Sequence, residues 1–200
     1  MAVGAASATS LFIENHSFEE DDLTSFYYSP REIPGWTSTA TGGQDRGVWN
    51  TNAPGKDGDN IAFVYSQDSV AQQLSATLSP GIEYTVTYLQ GRTNGGARSG
   101  TVELYAGGTV ADGVVTGGTL LDSRTEQVAG SAMNEFSFTY TAPESGSIIG
   151  QPLALRFSGD PAGSYVSFDN FRVDAVPEPA TMLALGAGLV ALATRRRRQS

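Results

Sequence analysis

The stretch Glu135-Phe136-Ser137-Phe138-Thr139-Tyr140-Thr141 alternates apolar and polar residues without a break, which places Phe136, Phe138 and Tyr140 on one face of an extended chain. A helix would spread the same rings around its circumference, so the period of two identifies a half-buried strand. The same alternation recurs on either side. It runs through Ile82 to Gln90, with Tyr84, Val86 and Tyr88 turned inward, and through 61–65, 70–78, 101–106 and 153–157. Turn chemistry bounds these runs at Ser79-Pro80-Gly81, Asn94-Gly95-Gly96, Gly107-Gly108, Ala142-Pro143 and Asp160-Pro161. No segment between Ser10 and Ala175 shows a helical period, and no internal repeat is present. The expectation is an all-β, antiparallel sandwich or jelly roll of about eight to ten strands.

The last of these strands is irregular. Val166 and Phe168 share one apolar phase, Phe171 and Val173 the next, so the alternation slips by one residue at Asp169-Asn170. One inserted residue is what a β-bulge supplies, and bulges re-aim side chains. Asp169 is therefore expected to point at something other than bulk water.

Composition narrows the function. The 200 residues fit one domain with a short surplus. With 24 glycines, 9 Phe, 8 Tyr and 2 Trp, the chain is too glycine-rich for a helical bundle and too aromatic for a disordered one. Cysteine is absent, which excludes disulfides, thiolate zinc sites and a cysteine nucleophile. The formal charge is −9; setting aside residues 177–200, which carry four arginines and one glutamate, removes a net +3 and leaves −12. So acidic a body is a poor match for nucleic acid, whose binding rests on cations that neutralise phosphate.

Both ends read as addresses. Residues 1–8 finish in Ala6-Ser7-Ala8, the Ala-x-Ala pattern that signal peptidase cuts after, and are read as the residual end of a signal peptide, the bland alternative being a disordered N-terminus. At the other end, Pro177-Glu178-Pro179 precedes the apolar segment 180–194 and the cluster Arg195, Arg196, Arg197 and Arg198. As a helix that segment spans about 22 Å, short of the roughly 30 Å hydrocarbon core and so a marginal membrane span. The arginines stay cytoplasmic under the positive-inside rule, which places everything before Pro177 across the membrane. This tail closely resembles the PEP-CTERM sorting domain. The resemblance implies processing by an exosortase, transient anchoring in the inner membrane through a short hydrophobic helix, and delivery of the body to the cell surface or extracellular matrix. The alternative is an ordinary single-pass anchor that keeps its helix. The chain thus divides into 1–8, a sandwich over 9–175 and a sorting tail over 176–200.

The body carries a second resemblance. Asn15-His-Ser-Phe-Glu19, Pro34-Gly-Trp36, Leu78-Ser-Pro-Gly-Ile-Glu-Tyr84 and Val166-Ser-Phe-Asp-Asn-Phe-Arg-Val173 together are similar to the galactose-binding-like jelly roll of carbohydrate-binding modules. That family brings its first and last strands together, often around a structural calcium ion, and the matching acidic positions here are Glu19 and Asp169. Oxygen-only donors suit calcium.

Catalytic motifs are scarce. His16 is the only histidine, and neither Gly-x-Ser-x-Gly nor His-Glu-x-x-His occurs. Sugar binding needs flat rings beside polar groups, and Tyr27, Tyr28, Trp36 and Trp49 stand in or near the long loops between residues 20 and 60. These features lead to the expectation of a non-catalytic, exported jelly roll that binds polysaccharide or adheres. The alternatives are a lyase or cyclase on the same scaffold, or a purely structural matrix protein. For the tail, the expected outcome is that mature protein recovered from the native host lacks Arg195 to Arg198; an intact mass that includes them refutes processing.

Overall fold

The computed structural model describes residues 7–21, 23, 28–29, 32–39, 46–92 and 96–177. Sheet A orders its strands β12 (Asn134–Thr141), β7 (Ile82–Gly91), β14 (Tyr165–Pro177), β5 (Asn60–Tyr65), β4 (Arg46–Asn50) and β2 (Tyr28–Ser29), with β1 (Thr9–Ser10) also paired to β14. Sheet B runs β11 (Thr119–Val128), β8 (Arg98–Ala106), β13 (Pro152–Ser158), β6 (Ser69–Thr77) and β3 (Thr37–Ser38). A hairpin of β9 (Thr109–Ala111) and β10 (Val114–Thr116) stands apart. The pairings are antiparallel.

The expected all-β sandwich stands, and the alternating runs fall on β5, β6, β7, β8, β12 and β13. The fourteen strands among the described residues exceed the expected number because β1, β2, β3, β9 and β10 are only two or three residues long and β11 is an edge strand, polar on both faces and exposed at half its positions. The expected C-terminal helix, with Glu178, Pro179 and Arg195 to Arg198, lies outside the described residues. Pro177 is inside them, and β14 continues through it: Val176 pairs with Glu83 and Pro177 with Ile82.

The two sheets close on an aromatic core centred on Phe171. Its ring stacks on Phe157 at 5.2 Å and on Tyr88 at 5.8 Å, and meets Phe18 edge-on at 6.1 Å. Trp36 lies 5.6 Å from it and 5.4 Å from Phe157. The slip read from the sequence makes this packing possible. Asp169 pairs with Leu89 but Arg172 with Thr87, so β14 holds one residue more than its neighbour. Asn170 absorbs the insertion at φ +47°, a left-handed conformation that asparagine tolerates better than most residues. Phe168 and Phe171, an odd number of residues apart, therefore both enter the core, and Asp169 is left on the opposite face of sheet A.

The outer face of sheet B is partly covered by the β9–β10 hairpin. Ser69 Oγ donates to the Gly113 carbonyl at 2.8 Å, and the Gly113 N–H donates to Thr37 Oγ1 at 3.1 Å. Beneath it Arg156 pairs with Glu103. Because each ring is held by several others, Phe171→Ala is expected to destabilise the protein by about 3–5 kcal/mol, lowering the melting temperature by on the order of 10 °C. Phe12→Ala, at a site 72% exposed, is expected to stay within about 0.5 kcal/mol; differential scanning calorimetry checks both.

Candidate active site

Antiparallel partners point to the same face of a sheet, so strand register defines what lies on the outside of sheet A. Trp49 stands opposite Ile61, and Asp169 opposite Leu89. One step along the strands, Phe63 stands between Gly47 and Ser167, and Ser167 opposite Gly91. A further step brings Tyr65 opposite Tyr165. The Phe63 and Tyr165 rings meet edge-on at 5.6 Å, and those of Tyr65 and Tyr165 lie 4.9 Å apart. Trp49 packs half-buried against Ala53, Ile61, Leu89 and Met133. The Met133 N–H donates to the Pro54 carbonyl at 2.8 Å, which fixes the loop 51–59 over this face.

Asp169 sits under that loop and is fully buried. Its Oδ2 accepts the Asp57 N–H and its Oδ1 the Asn170 N–H, both at 2.7 Å. Burial pushes its carboxyl up to about 7, with the Asp57 and Glu19 charges adding to the rise and the two N–H bonds opposing it. It is an acid still half protonated near neutrality. Glu19 grips the other end of the same turn, its Oε1 accepting the Asp59 and Asn60 N–H groups at 3.0 and 2.7 Å. Gly58 lies between them at φ +67°, and a Cβ there would stand 2.6 Å from the Glu19 carboxylate. Asn60 donates to the Phe18 and Asp21 carbonyls at 3.2 and 2.9 Å, while its buried Oδ1 has no hydrogen-bond partner.

The structure thus brings together Glu19, Asp169 and Trp49, as strands β4 and β14 and the turn 57–60 converge on one face. It does not bring Trp36 there: that ring is 4% exposed and packed among Phe18, Phe157 and Phe171, so the sugar platform expected of it is corrected to a core contact. Tyr27 lies outside the described residues, and for Tyr28 only the backbone pairing with Trp49 is described. His16 is exposed, and its carbonyl accepts the Phe171 N–H at 2.9 Å. The residues the sequence reading passed over are Phe63, Tyr65, Tyr165 and Ser167. Alternation through 61–65 already carried the signal, since Phe63 and Tyr65 fall on the face opposite Ala62 and Val64. For the metal, the donors are all oxygen, but among the described residues no group of three or more His, Cys, Asp or Glu gathers to hold an ion. Backbone N–H groups occupy the carboxylate oxygens instead.

Residues 9–174 match the HpiC1-like family, described as HpiC1 cyclase. The body belongs to that family. Its solved relatives include the Stig cyclase Fisc from Fischerella sp. TAU in complex with (3Z)-3-(1-methyl-2-pyrrolidinylidene)-3H-indole, at 28% identity and TM-score 0.73 over 86% of this chain and 99% of that one. Another is a cyclase from Fischerella sp. TAU with 4-(1H-indol-3-yl)butan-2-one bound, at 26% identity and TM-score 0.72 over 84% and 98%. The carbohydrate-binding module TmCBM61, solved with beta-1,4-galactotriose, is 13% identical with a TM-score of 0.54 over 82% and 98%, a likeness of fold alone. No curated protein sequence matches the chain. The cyclase matches overturn the expectation of a non-catalytic module: the HpiC1-like body points to a cyclase. Residues 175–198 match the PEP-CTERM protein-sorting motif, so the HpiC1-like body is exported and sorted to the cell surface with an exosortase as its processing partner.

The raised Asp169 value has a definite sign. Its folded-state pKa of about 7 exceeds the ordinary 3.8, so the folded protein binds this proton more tightly than the unfolded chain does. The stability it contributes is full below pH 4 and is lost as pH rises from about 4 to about 7, by a few kcal/mol at most. In chelator-treated buffer, urea unfolding at a series of pH values is expected to show this decline in wild type and a flat profile in Asp169→Asn.

Proposed function

We propose that the protein is an exported cyclase that closes a ring on an indole-bearing substrate, with Asp169 as the proton donor. The observation that carries this reading is the placing of one carboxylic acid, protonated in part at neutral pH, on the same sheet face as the rings of Trp49, Phe63, Tyr65 and Tyr165. The indole compounds bound by the two Fischerella cyclases supply the substrate class.

In this reading Asp169 gives its proton to an unsaturated carbon or a basic atom of the substrate. The electron-deficient centre so formed is attacked by a nearby π bond, a new ring bond forms, and loss of a proton to the Asp169 carboxylate restores both the acid and a neutral product. Nothing is oxidised or reduced, and product and substrate are isomers. The aromatic faces stabilise the cation by cation–π attraction, worth about 0.5–2 kcal/mol each where water is excluded. Since Asp169 is buried, the Asp57–Asn60 turn must lift to admit substrate, and the hydrogen bonds from Glu19 and Asp169 set the resistance to lifting.

The test has two arms. Calorimetric titration with 4-(1H-indol-3-yl)butan-2-one is expected to show binding that Trp49→Ala weakens about tenfold, the loss of roughly 1.4 kcal/mol of contact. An indole with a tethered alkene is expected to give an isomer of unchanged mass, at a rate that Asp169→Asn lowers by at least about 100-fold, as removal of a general acid does. Equal turnover in wild type and Asp169→Asn counts against the proposal, as does the absence of indole binding.

A second reading places calcium at Glu19 and Asp169. The unpartnered, buried Asn60 Oδ1 beside the turn favours it. Calcium would hold Asp169 ionised, abolish the pH slope and raise the melting temperature by several degrees at a hundredfold excess over Kd, reversibly with chelator. Identical melting in calcium and in chelator rejects it. Surface sorting also brings the protein to polysaccharide, and the Tyr65–Tyr165 pair, with Tyr65 36% exposed, is the described feature suited to stacking on a sugar ring. Anchoring in the inner membrane through segment 180–194 before processing belongs to the same proposal.

A further inference from the structure

At one end of the sandwich, away from the acidic face of Asp169, two arginines project between the sheets. Arg92 follows β7 directly, and Arg98 opens β8. Alternation along β7 turns Tyr88 and Gln90 inward, and Arg92 continues that phase. It is only 5% exposed. Its Nη2 donates to Ser164 Oγ at 2.8 Å, but Nε and Nη1 are buried without a hydrogen-bond partner, and so is Nε of Arg98. Buried guanidinium N–H groups left unpaired are costly, and native proteins satisfy nearly all such donors.

The single carboxylate here does not satisfy them. Asp160 accepts the Ser99 and Ala162 N–H groups, each at 2.8 Å, and forms no ion pair with either arginine. The cluster therefore carries two positive charges against one negative. Burial, and then the charge of Arg98, lower the affinity of Arg92 for its own proton, as expected of a cation short of counter-charge. Ser99, Asp160 and Ser164 are half-exposed, so the mouth opens to water.

We infer that this mouth is an oxyanion-binding site, in which Arg92 and Arg98 grip one carboxylate, phosphate or sulfate group with Ser164 beside them. A guanidinium presents its N–H groups as a planar fork that anions favour, and the unused Nε and Nη1 of Arg92 face out from opposite edges of that plane, so one anion takes one of them and the mouth supplies the rest from Arg98 and Ser164. The anion brings the charge of the cluster to zero or below and satisfies an unused donor of each arginine. This site is independent of the cyclase reading, because it shares no residue with the Asp169 face.

The test is calorimetric titration and thermal unfolding of the purified protein in chloride buffer of matched ionic strength. Sodium sulfate, sodium phosphate and sodium glucuronate are the three anionic arms, and methyl glucoside is the neutral one. Wild type is expected to take up one equivalent of at least one anion and none of the glucoside; which arm binds identifies the source of the oxyanion. Melting should rise by about 5 to 10 °C at a hundredfold excess over Kd. Arg98→Gln, at a half-exposed position, is expected to lose affinity tenfold or more, and Arg98→Lys to keep part of it. Sulfate and phosphate raise the melting temperature of most folded proteins by exclusion from their surfaces, so an equal rise in wild type and Arg98→Gln overturns the site. Absence of binding heat with all three anions, or a crystal structure grown in the tightest of them showing only water on Arg92 Nε and Nη1, overturns it as well.

Discussion

One extra residue in the last strand governs both sides of sheet A. Without Asn170 in its left-handed conformation, Phe168 and Phe171 would face opposite ways, and the ring that touches Phe18, Trp36, Tyr88 and Phe157 would leave the core. The same insertion leaves Asp169 opposite Leu89 on the outer face, under the 51–59 loop. Core and candidate chemistry are thus coupled through backbone geometry, and the burial of Phe171 offsets the cost of keeping the Asp169 carboxyl out of water. A β-branched residue at 170 would strain both at once, since left-handed φ is least tolerated by such side chains.

The outer face shows how a sandwich becomes a site. Sheet B is partly closed on its outside by the β9–β10 hairpin, whereas sheet A is covered by loops that its own strands hold in place. Glu19 and Asp169 act on this cover from two directions: each accepts backbone N–H groups of the 57–60 turn, one from an exposed position and one from a buried one. The turn is therefore fastened to the first loop and to the last strand together, and Gly58 is the residue small enough to pass beside Glu19.

The sequence disclosed more of the fold than of the site. Period-two runs and their turns located β5, β6, β7, β8, β12 and β13, because half-buried strands must alternate. Strand β11 escaped, since as an edge strand with polar residues on both faces it has no alternation to read. The phase slip at Asp169-Asn170 was legible because bulges leave a mark in the apolar pattern, whereas the nearness of Glu19 to Asp169 was implied by the jelly-roll resemblance, which brings the two ends of the domain together, and their shared turn appeared only in the structure. Trp36 could not be told from a ligand platform by type alone, as burial depends on what packs above it. The cyclase relationship was not legible from motifs: the acid proposed for the chemistry owes its proton affinity to burial, which leaves no pattern in the chain.

The way β14 ends has a mechanical consequence. Pairing with β7 continues through Pro177, so the first residues of the sorting motif lie inside the sheet. Strand β14 lies in the interior of sheet A, bonded to β7 on one side and to β5 and then β1 on the other. A pull transmitted through the tail runs along the axis of that strand and loads its hydrogen bonds together, in shear, instead of peeling them one at a time. A load applied at Pro177 would thus be carried by the part of the sheet that resists force best.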